Sequence, residues 1–240
     1  MKSKKSNMKS NAGLWSLTGF TALLFVVSLY TVFVYAPREV IMGDVQKVFY
    51  FHVAAGWVSA LAFLVALIMG MLYLSTRDVK WDRVAVSSVE IGVVFTTMNV
   101  VSGSIWARPV WNTWWTWDPR LTTATMMWML YIAYLMLRQG LENPERRRLF
   151  ASIYSIVAFF SVPLTFLAIR IWRTIHPVVI GNNNPGAEGQ FDMTSRMQHA
   201  LFLSVLTFTL LYATLLWYRV LLERFSETVA EMKARLMDSQ

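Results

Sequence analysis

"FYFHVAAGWVSALAFLVALIMGMLYL", residues 49–74, contains no Lys, Arg, Asp or Glu. About 20 apolar residues of helix cross the hydrocarbon core of a bilayer, so this run reads as a transmembrane span. Working outward, residues 14–36 before it and 84–105, 121–137, 150–169 and 200–218 after it read the same way, the fourth span in chain order being the shortest. The composition agrees: with 56% hydrophobic and only 15% charged residues in 240, a soluble domain would expose too much apolar surface. The expected fold is an all-α polytopic membrane protein, a bundle of six transmembrane helices, with residues 1–240 forming one transmembrane domain.

The basic start followed by an apolar run has the outline of a cleaved signal peptide. The run exceeds a signal h-region and lacks a small-x-small site, so it reads as a retained first span. Short cytoplasmic loops carry the excess of Lys and Arg. Fifteen of the 22 basic residues fall on one set of alternate segments: Lys2 to Lys9, Arg77 to Arg83, Arg138 to Arg148 and Arg219 to Arg235. The other set holds Arg38, Lys47, Arg108, Arg120, Arg170, Arg173 and Arg196. Both termini are therefore expected in the cytoplasm. The net charge of +8 reports topology rather than nucleic-acid binding, because the basic residues are dispersed between spans.

The chain has no cysteine. That excludes disulfides, thiolate chemistry, thiol–disulfide exchange and the C-x-x-C-H attachment of a c-type haem. Connections are short, apart from the Gly, Asn and Pro-rich outer loop "GNNNPGAEGQ" at 181–190 and the tail. In the tail, around 219–240, Leu221, Phe225, Val229, Met232 and Leu236 recur at helical spacing, so an amphipathic helix continues the sixth span. Such a helix either lies on the bilayer surface or docks a cytoplasmic partner. Pro163 falls inside the fifth span and marks a kink. Glu90, early in the third span, is a surface-facing group or a buried functional carboxylate.

The expected outer side gathers the chemistry, on loops around 37–52, 106–120 and 170–199. His52 stands about one turn inside the second span, and His176 just past the fifth. Between them "WNTWWTWDPRLT", residues 111–122, places Trp111, Trp114, Trp115 and Trp117 in one loop, with Trp106 just before it. A lone histidine at a helix end reads as a polar cap bonded to nearby backbone. Two on the same side of a tryptophan shelf point to a ligand, because neutral imidazole binds iron and two such side chains can clamp a haem on both faces. Aromatic belts spread tryptophans over many helix ends; a concentrated cluster suits a large planar apolar molecule, covered by stacking. Asp118 followed by Pro119 reads as an N-cap and first helical residue, which leaves room for a second role in positioning the loop. Arg108, Arg120, Arg170 and Arg173 can pair with lipid phosphate or with carboxylates such as haem propionates.

The stretch 111–122 resembles the tryptophan-rich signature W-G-x-x-W-x-W-D-x-R-L-T of the haem-handling proteins of cytochrome c maturation. Length, six spans and two outer histidines look most like their CcmC branch, over nearly the whole chain. Trp111, Trp115, Trp117, Asp118, Arg120, Leu121 and Thr122 fall on the fixed positions of the motif, and Trp114 on a variable position within it. Asn112 stands where the motif usually has glycine, and Ala54 where many members have proline. The resemblance implies that His52 and His176 are axial ligands of a haem b iron. The haem would be held non-covalently and transiently by these histidines together with Trp111, Trp114, Trp115, Trp117, Asp118 and Arg120.

It implies further that the protein is not an enzyme but presents haem to a CcmE-like chaperone, which binds haem covalently. A CcmD-like single-span protein and a CcmA/CcmB-like ABC transporter would complete the assembly. The implied setting is a bacterial inner membrane, archaeal and organellar membranes remaining open. Three alternatives compete. A membrane b-type cytochrome would commonly bring histidines from within spans at both depths. A haem or small-molecule transporter subunit would place charge near the midplane. A complete cytochrome c synthetase would be longer and add haem-ligand histidines, whereas His199 is the only spare one here.

Overall fold

The computed structural model of the chain describes residues 2–40, 42–176 and 193–238. Among the described residues there is no β-strand. The elements are α1 (Lys2–Tyr30), closed by a π-helical turn (Thr31–Tyr35), then α2 (Gln46–Thr76), α3 (Val79–Trp111), α4 (Pro119–Gly140), α5 (Pro144–Phe159), α6 (Ser161–Ile171) and α7 (Ser195–Asp238). Five segments are long and apolar enough to cross a membrane: Ala12–Tyr35, Gln46–Thr76, Val79–Trp111, Pro144–Ile171 and Ser195–Met237. α4 completes the bundle. Its 22 residues span about 33 Å, long enough to cross, but Arg120, Thr122, Thr123 and Thr125 make its first turns polar, and it is not among the five segments apolar enough. The protein is an all-α polytopic membrane protein.

Local chemistry sets the boundaries. Asp78 and Asn143 cap α3 and α5 by accepting from backbone N–H groups one turn on, and Pro119 and Pro144 open α4 and α5. α3 ends at Asn112 with φ 55°, a left-handed conformation that glycine and then asparagine adopt at least cost. The expected fifth span is two helices. Pro163 has no N–H to donate to the carbonyl of Phe159, four residues back, and the helix breaks at Phe160. The break turns α6 against α4, where the Thr165 hydroxyl donates to the Thr123 carbonyl at 3.1 Å.

α2 and α3 form the central hairpin. Gly92 lets them close: a Cβ there would stand 2.6 Å from Phe63. Phe63 in turn stacks on Tyr131 of α4, rings nearly parallel at 3.4 Å, within a core that includes Val89, Met127, Tyr134 and Ala151. α1 packs on α7 through hydroxyl pairs, Thr21 with Thr214 at 3.0 Å and Ser28 with Ser204 at 3.2 Å, the polar contacts that hold helices together where lipid offers no hydrophobic drive.

The two ends of the bundle differ. Where α2 stops and α3 begins, the buried Asp82 receives both Arg138 nitrogens at 2.6 and 2.9 Å. Arg83 pairs there with Glu227 at 2.7 Å, and Arg219 with Glu90 at 2.5 Å and Glu223 at 2.9 Å. Glu90 is thus a member of an ion-pair network tying α3 to α7. α7 itself runs unbroken for 44 residues, about 66 Å and twice the thickness of a bilayer core, leaving Phe225, Val229, Met232 and Leu236 exposed along its tail. The opposite end collects the start of α2, the end of α3, the start of α4 and the end of α6.

Candidate functional site

His52 lies near the start of α2, facing α3. Its Nδ1 is 3.0 Å from the Asn99 carbonyl and 3.2 Å from the Ser102 hydroxyl. The Asn99 amide nitrogen also lies 3.3 Å from Nδ1; because a carbonyl only accepts, the shorter 3.0 Å contact is a hydrogen bond in the tautomer with the proton on Nδ1, which leaves Nε2 its lone pair. The Asn99 side chain returns a bond to the His52 carbonyl at 2.8 Å. Two glycines make room for this pair. A Cβ on Gly103 would meet His52 Cε1 at 2.9 Å, and one on Gly56 would meet Asn99 Nδ2 at 2.9 Å.

His176 lies on non-helical backbone beyond α6, and Asp118 places that backbone. The Asp118 Oδ1 caps α4 by accepting from the Arg120 N–H at 2.8 Å. Its Oδ2 accepts from the Ile175 N–H at 3.0 Å and from the Thr174 hydroxyl. Thr174 Oγ1 then accepts from the His176 N–H at 3.1 Å. One carboxylate therefore joins the tryptophan loop, the start of α4 and the His176 segment. The two imidazoles end with ring centroids 6.5 Å apart and planes 35° from parallel.

Between them opens a narrow cleft lined by His52, Asn99, Val100, Gly103, Trp106, Trp111, Trp115, Arg120, Leu121, Ala124 and His176. Its walls are aromatic. Trp106 and Trp111 meet edge to face at 5.1 Å and 89°, and Trp111 lies 6.3 Å from the His176 ring. The buried Nε1 of Trp106 has no hydrogen-bond partner. The Arg120 guanidinium is held at the edge by the Thr165 carbonyl and lies 4.9 Å over the Phe166 ring, a fixed positive charge beside an apolar space.

Of the residues singled out in the sequence, His52, His176, Trp111, Trp115 and Arg120 share this cleft. Trp114 and Trp117 point away, 59% and 74% exposed. Trp117 leans edge-on against Trp115 at 5.8 Å, and Arg108 sits 6.0 Å over Trp114. Arg108 also bonds the Asn112 carbonyl and side chain at 2.6 and 2.9 Å, fixing the left-handed corner that opens the loop. Asp118 stands behind the wall, its oxygens taken by protein donors. His199 lies elsewhere, 3.2 Å from the Tyr35 hydroxyl.

Sequence reasoning passed over Asn99, Ser102, Gly103 and Thr174. A polar Asn99 inside an apolar span was the available signal, since such residues seldom face lipid. The loop 181–190 lies outside the described residues.

The family model described as CcmC, heme exporter protein C, matches residues 2–235. Heme exporter protein C of Paracoccus denitrificans is 27% identical over 83% of this chain and 81% of its own length. Its namesake in Bradyrhizobium diazoefficiens is 27% identical over 83% and 74%, and that of Escherichia coli K12 is 29% identical over 78% and 74%.

Proposed function

The chain belongs to the CcmC family, heme exporter protein C, and from that premise we propose that its cleft binds haem b non-covalently and presents it to a CcmE-like chaperone. Membership assigns it to haem handling in cytochrome c biogenesis, in a family of export components rather than enzymes. The observation that carries the finer reading is the imidazole pair. A metal held between two imidazoles at metal–nitrogen distances of about 2.0–2.1 Å separates the ring centroids by roughly 6 Å, and those of His52 and His176 are 6.5 Å apart. Among the described residues no set of three or more His, Asp or Glu gathers as a metal cage. Two imidazoles alone suit a metal that brings its own equatorial ligands, as haem iron does.

Each remaining residue then has a task. His52 presents an unprotonated Nε2, its tautomer fixed by the Asn99 carbonyl. Trp111, Trp115 and Trp106 cover a flat macrocycle by stacking and edge contacts. Arg120 and the unpartnered Trp106 N–H supply donors for propionate carboxylates. Trp114 and Trp117, exposed on the outer surface of the loop, offer the chaperone a docking face. Asp118 acts behind the cleft as a positioning residue. The Lys and Arg bias supports an orientation with both termini in the cytoplasm and the cleft on the periplasmic or outer side. The assembly would include a CcmD-like protein and a CcmA/CcmB-like transporter.

The test is the absorption spectrum of the purified protein coexpressed with its chaperone, beside the His52→Ala/His176→Ala double variant. A six-coordinate haem spectrum lost in the variant, with covalent haem on the chaperone only beside the wild type, is the expected result. Haem retained by the wild type but never delivered would indicate a b-type cytochrome, and no haem in either would indicate a transporter of another molecule.

A further inference from the structure

The cleft ends one helical turn inside its deepest walls. α4 begins beside Arg120 and passes Leu121 and Ala124, which line the cleft, before it reaches Trp128 one turn beyond Ala124. α3 runs the opposite way, so Thr97 stands about one turn inward of Val100, a lining residue on that side. These two deeper residues join: the Trp128 Nε1–H donates to the Thr97 hydroxyl at 2.9 Å. The Thr97 hydroxyl gives its own proton to the Val93 carbonyl at 2.9 Å, so toward the indole its oxygen only accepts. An indole N–H inside a span has no water to bond, and this acceptor fixes the ring across the seam between α3 and α4. Beside the seam the space is filled. Met127 and Tyr131 are buried, and Tyr131 stacks on Phe63 of α2 within the packed core.

Resting on the reading of the cleft as a haem b site, we infer that Trp128 is the floor that decides which macrocycle the site admits, with Thr97 as the positioning residue that holds the indole there. Arg120, two turns nearer the mouth on the same helix, draws the propionate edge outward. The opposite edge of haem b carries only methyl, vinyl and methine groups, and it meets an apolar floor. Short substituents on that edge fit above the indole. A long alkyl chain in place of one vinyl, as in haem o, would have to push Trp128 out of the seam and break its bond to Thr97. The buried core at Met127 and Tyr131 offers no other room, because packed interiors take up added volume only at the cost of strain. The site therefore selects an iron macrocycle whose inner edge is apolar and short.

The experiment titrates the full chain in detergent with haem b and, separately, with haem o, reading affinity and coordination from the absorption spectrum. The wild type is expected to bind haem b about tenfold or more tightly than haem o. Trp128→Ala opens the seam and should bring the two affinities to within about threefold of each other, while haem b keeps its bis-imidazole spectrum. Thr97→Val keeps the shape of the side chain but removes the acceptor, and should move the ratio in the same direction, with Thr97→Ser returning it to the wild-type value. Thr97→Val carries the test alone if the larger deletion unfolds the bundle. General loosening weakens both haems together and leaves the ratio unchanged, so the ratio separates selection from structural support. A wild type that binds the two haems alike, or a wild-type ratio in either folded variant, overturns the inference while leaving bis-histidine binding intact. A wild type that binds neither haem overturns both.

Discussion

Gly103→Ala places one methyl group against the His52 ring, and its effect follows from distances. The new Cβ would stand 2.9 Å from Cε1 and 3.4 Å from Nδ1. Carbon atoms in contact settle at about 3.5–4.0 Å, so the ring must withdraw by roughly 0.6–1 Å, or α2 and α3 must part. Withdrawal stretches the 3.0 Å bond to the Asn99 carbonyl and turns Nε2 off its line to the metal. Overpacking costs about 1–3 kcal/mol, so haem affinity should fall roughly 5- to 150-fold. The assay is titration of purified protein with haem, followed by absorbance, with thermal unfolding in detergent recorded alongside. Gly140→Ala is the control, since a Cβ there meets nothing within 4 Å; it should bind haem as the wild type does. Gly103→Ala binding haem within about twofold of the wild type, with an unchanged spectrum, would refute the placement of His52 as a ligand wedged between two helices.

Single variants His52→Ala and His176→Ala should each lose or alter haem ligation, whereas His199→Ala, which gives up its Tyr35 contact, should not; equal spectra in all three would sink the assignment. Replacing Trp114, Trp115 and Trp117 by alanine should lower delivery of haem to the chaperone more than membrane insertion, and wild-type delivery by well-inserted variants would contradict the role given to the loop. Arg138→Ala leaves Asp82, 3% exposed as a side chain, with only the longer 3.8 Å pairing to Arg148 among the described residues, and should cost stability, up to the about 3–5 kcal/mol of a broken buried pair. It should leave the haem spectrum of the folded fraction unchanged, as judged by thermal unfolding and absorbance together. Because the chain has no cysteine, single substitutions report topology directly. Val40→Cys should react with an impermeant maleimide from the outside of intact cells and Glu142→Cys should not; the reverse pattern would invert the orientation.

How far the sequence speaks depends on whether the deciding contact is local. The spans were legible because length and apolarity are properties of a single segment, and the N-cap at Asp118 because a cap bonds one turn ahead. Pro163 announced a disturbance in the fifth span, but that it splits the span at Phe160 and turns α6 toward α4 depends on α4 being there. Asn112, a departure from the family's glycine, becomes intelligible only with its φ of 55°, a conformation that asparagine tolerates better than other side chains. The support of His52 was illegible because Asn99, Ser102 and Gly103 reach it through the register of α2 against α3. The second oxygen of Asp118 was hidden for the same reason, since Thr174 and Ile175 come to it from across the bundle.

The distribution of forces along the bundle suits a carrier. At one end, bidentate and networked ion pairs join α3, α4 and α7 through Asp82, Arg138, Arg83, Glu227, Glu90 and Arg219, partly shielded from solvent and therefore weakly screened by salt. At the other end the described elements meet through hydrogen bonds, aromatic edges, the Arg120 guanidinium on the Thr165 carbonyl and the shared Asp118 carboxylate, while the Arg38–Asp44 and Lys47–Asp44 pairs lie in the connection between α1 and α2 and its junction with α2. Opening is least costly where contacts are fewest and least cooperative. The ion-paired end holds α3, α4 and α7 in register, so on the proposed reading a cargo could be gripped and released at the cleft end without unfolding the spans. Under the proposed reading no bond need be chemically reversed: imidazole ligation and stacking would both dissociate, and a chain without cysteine cannot trap a macrocycle as a thioether. On the proposed reading, affinity follows how well the His52 and His176 rings are aligned, and their centroids stand 6.5 Å apart.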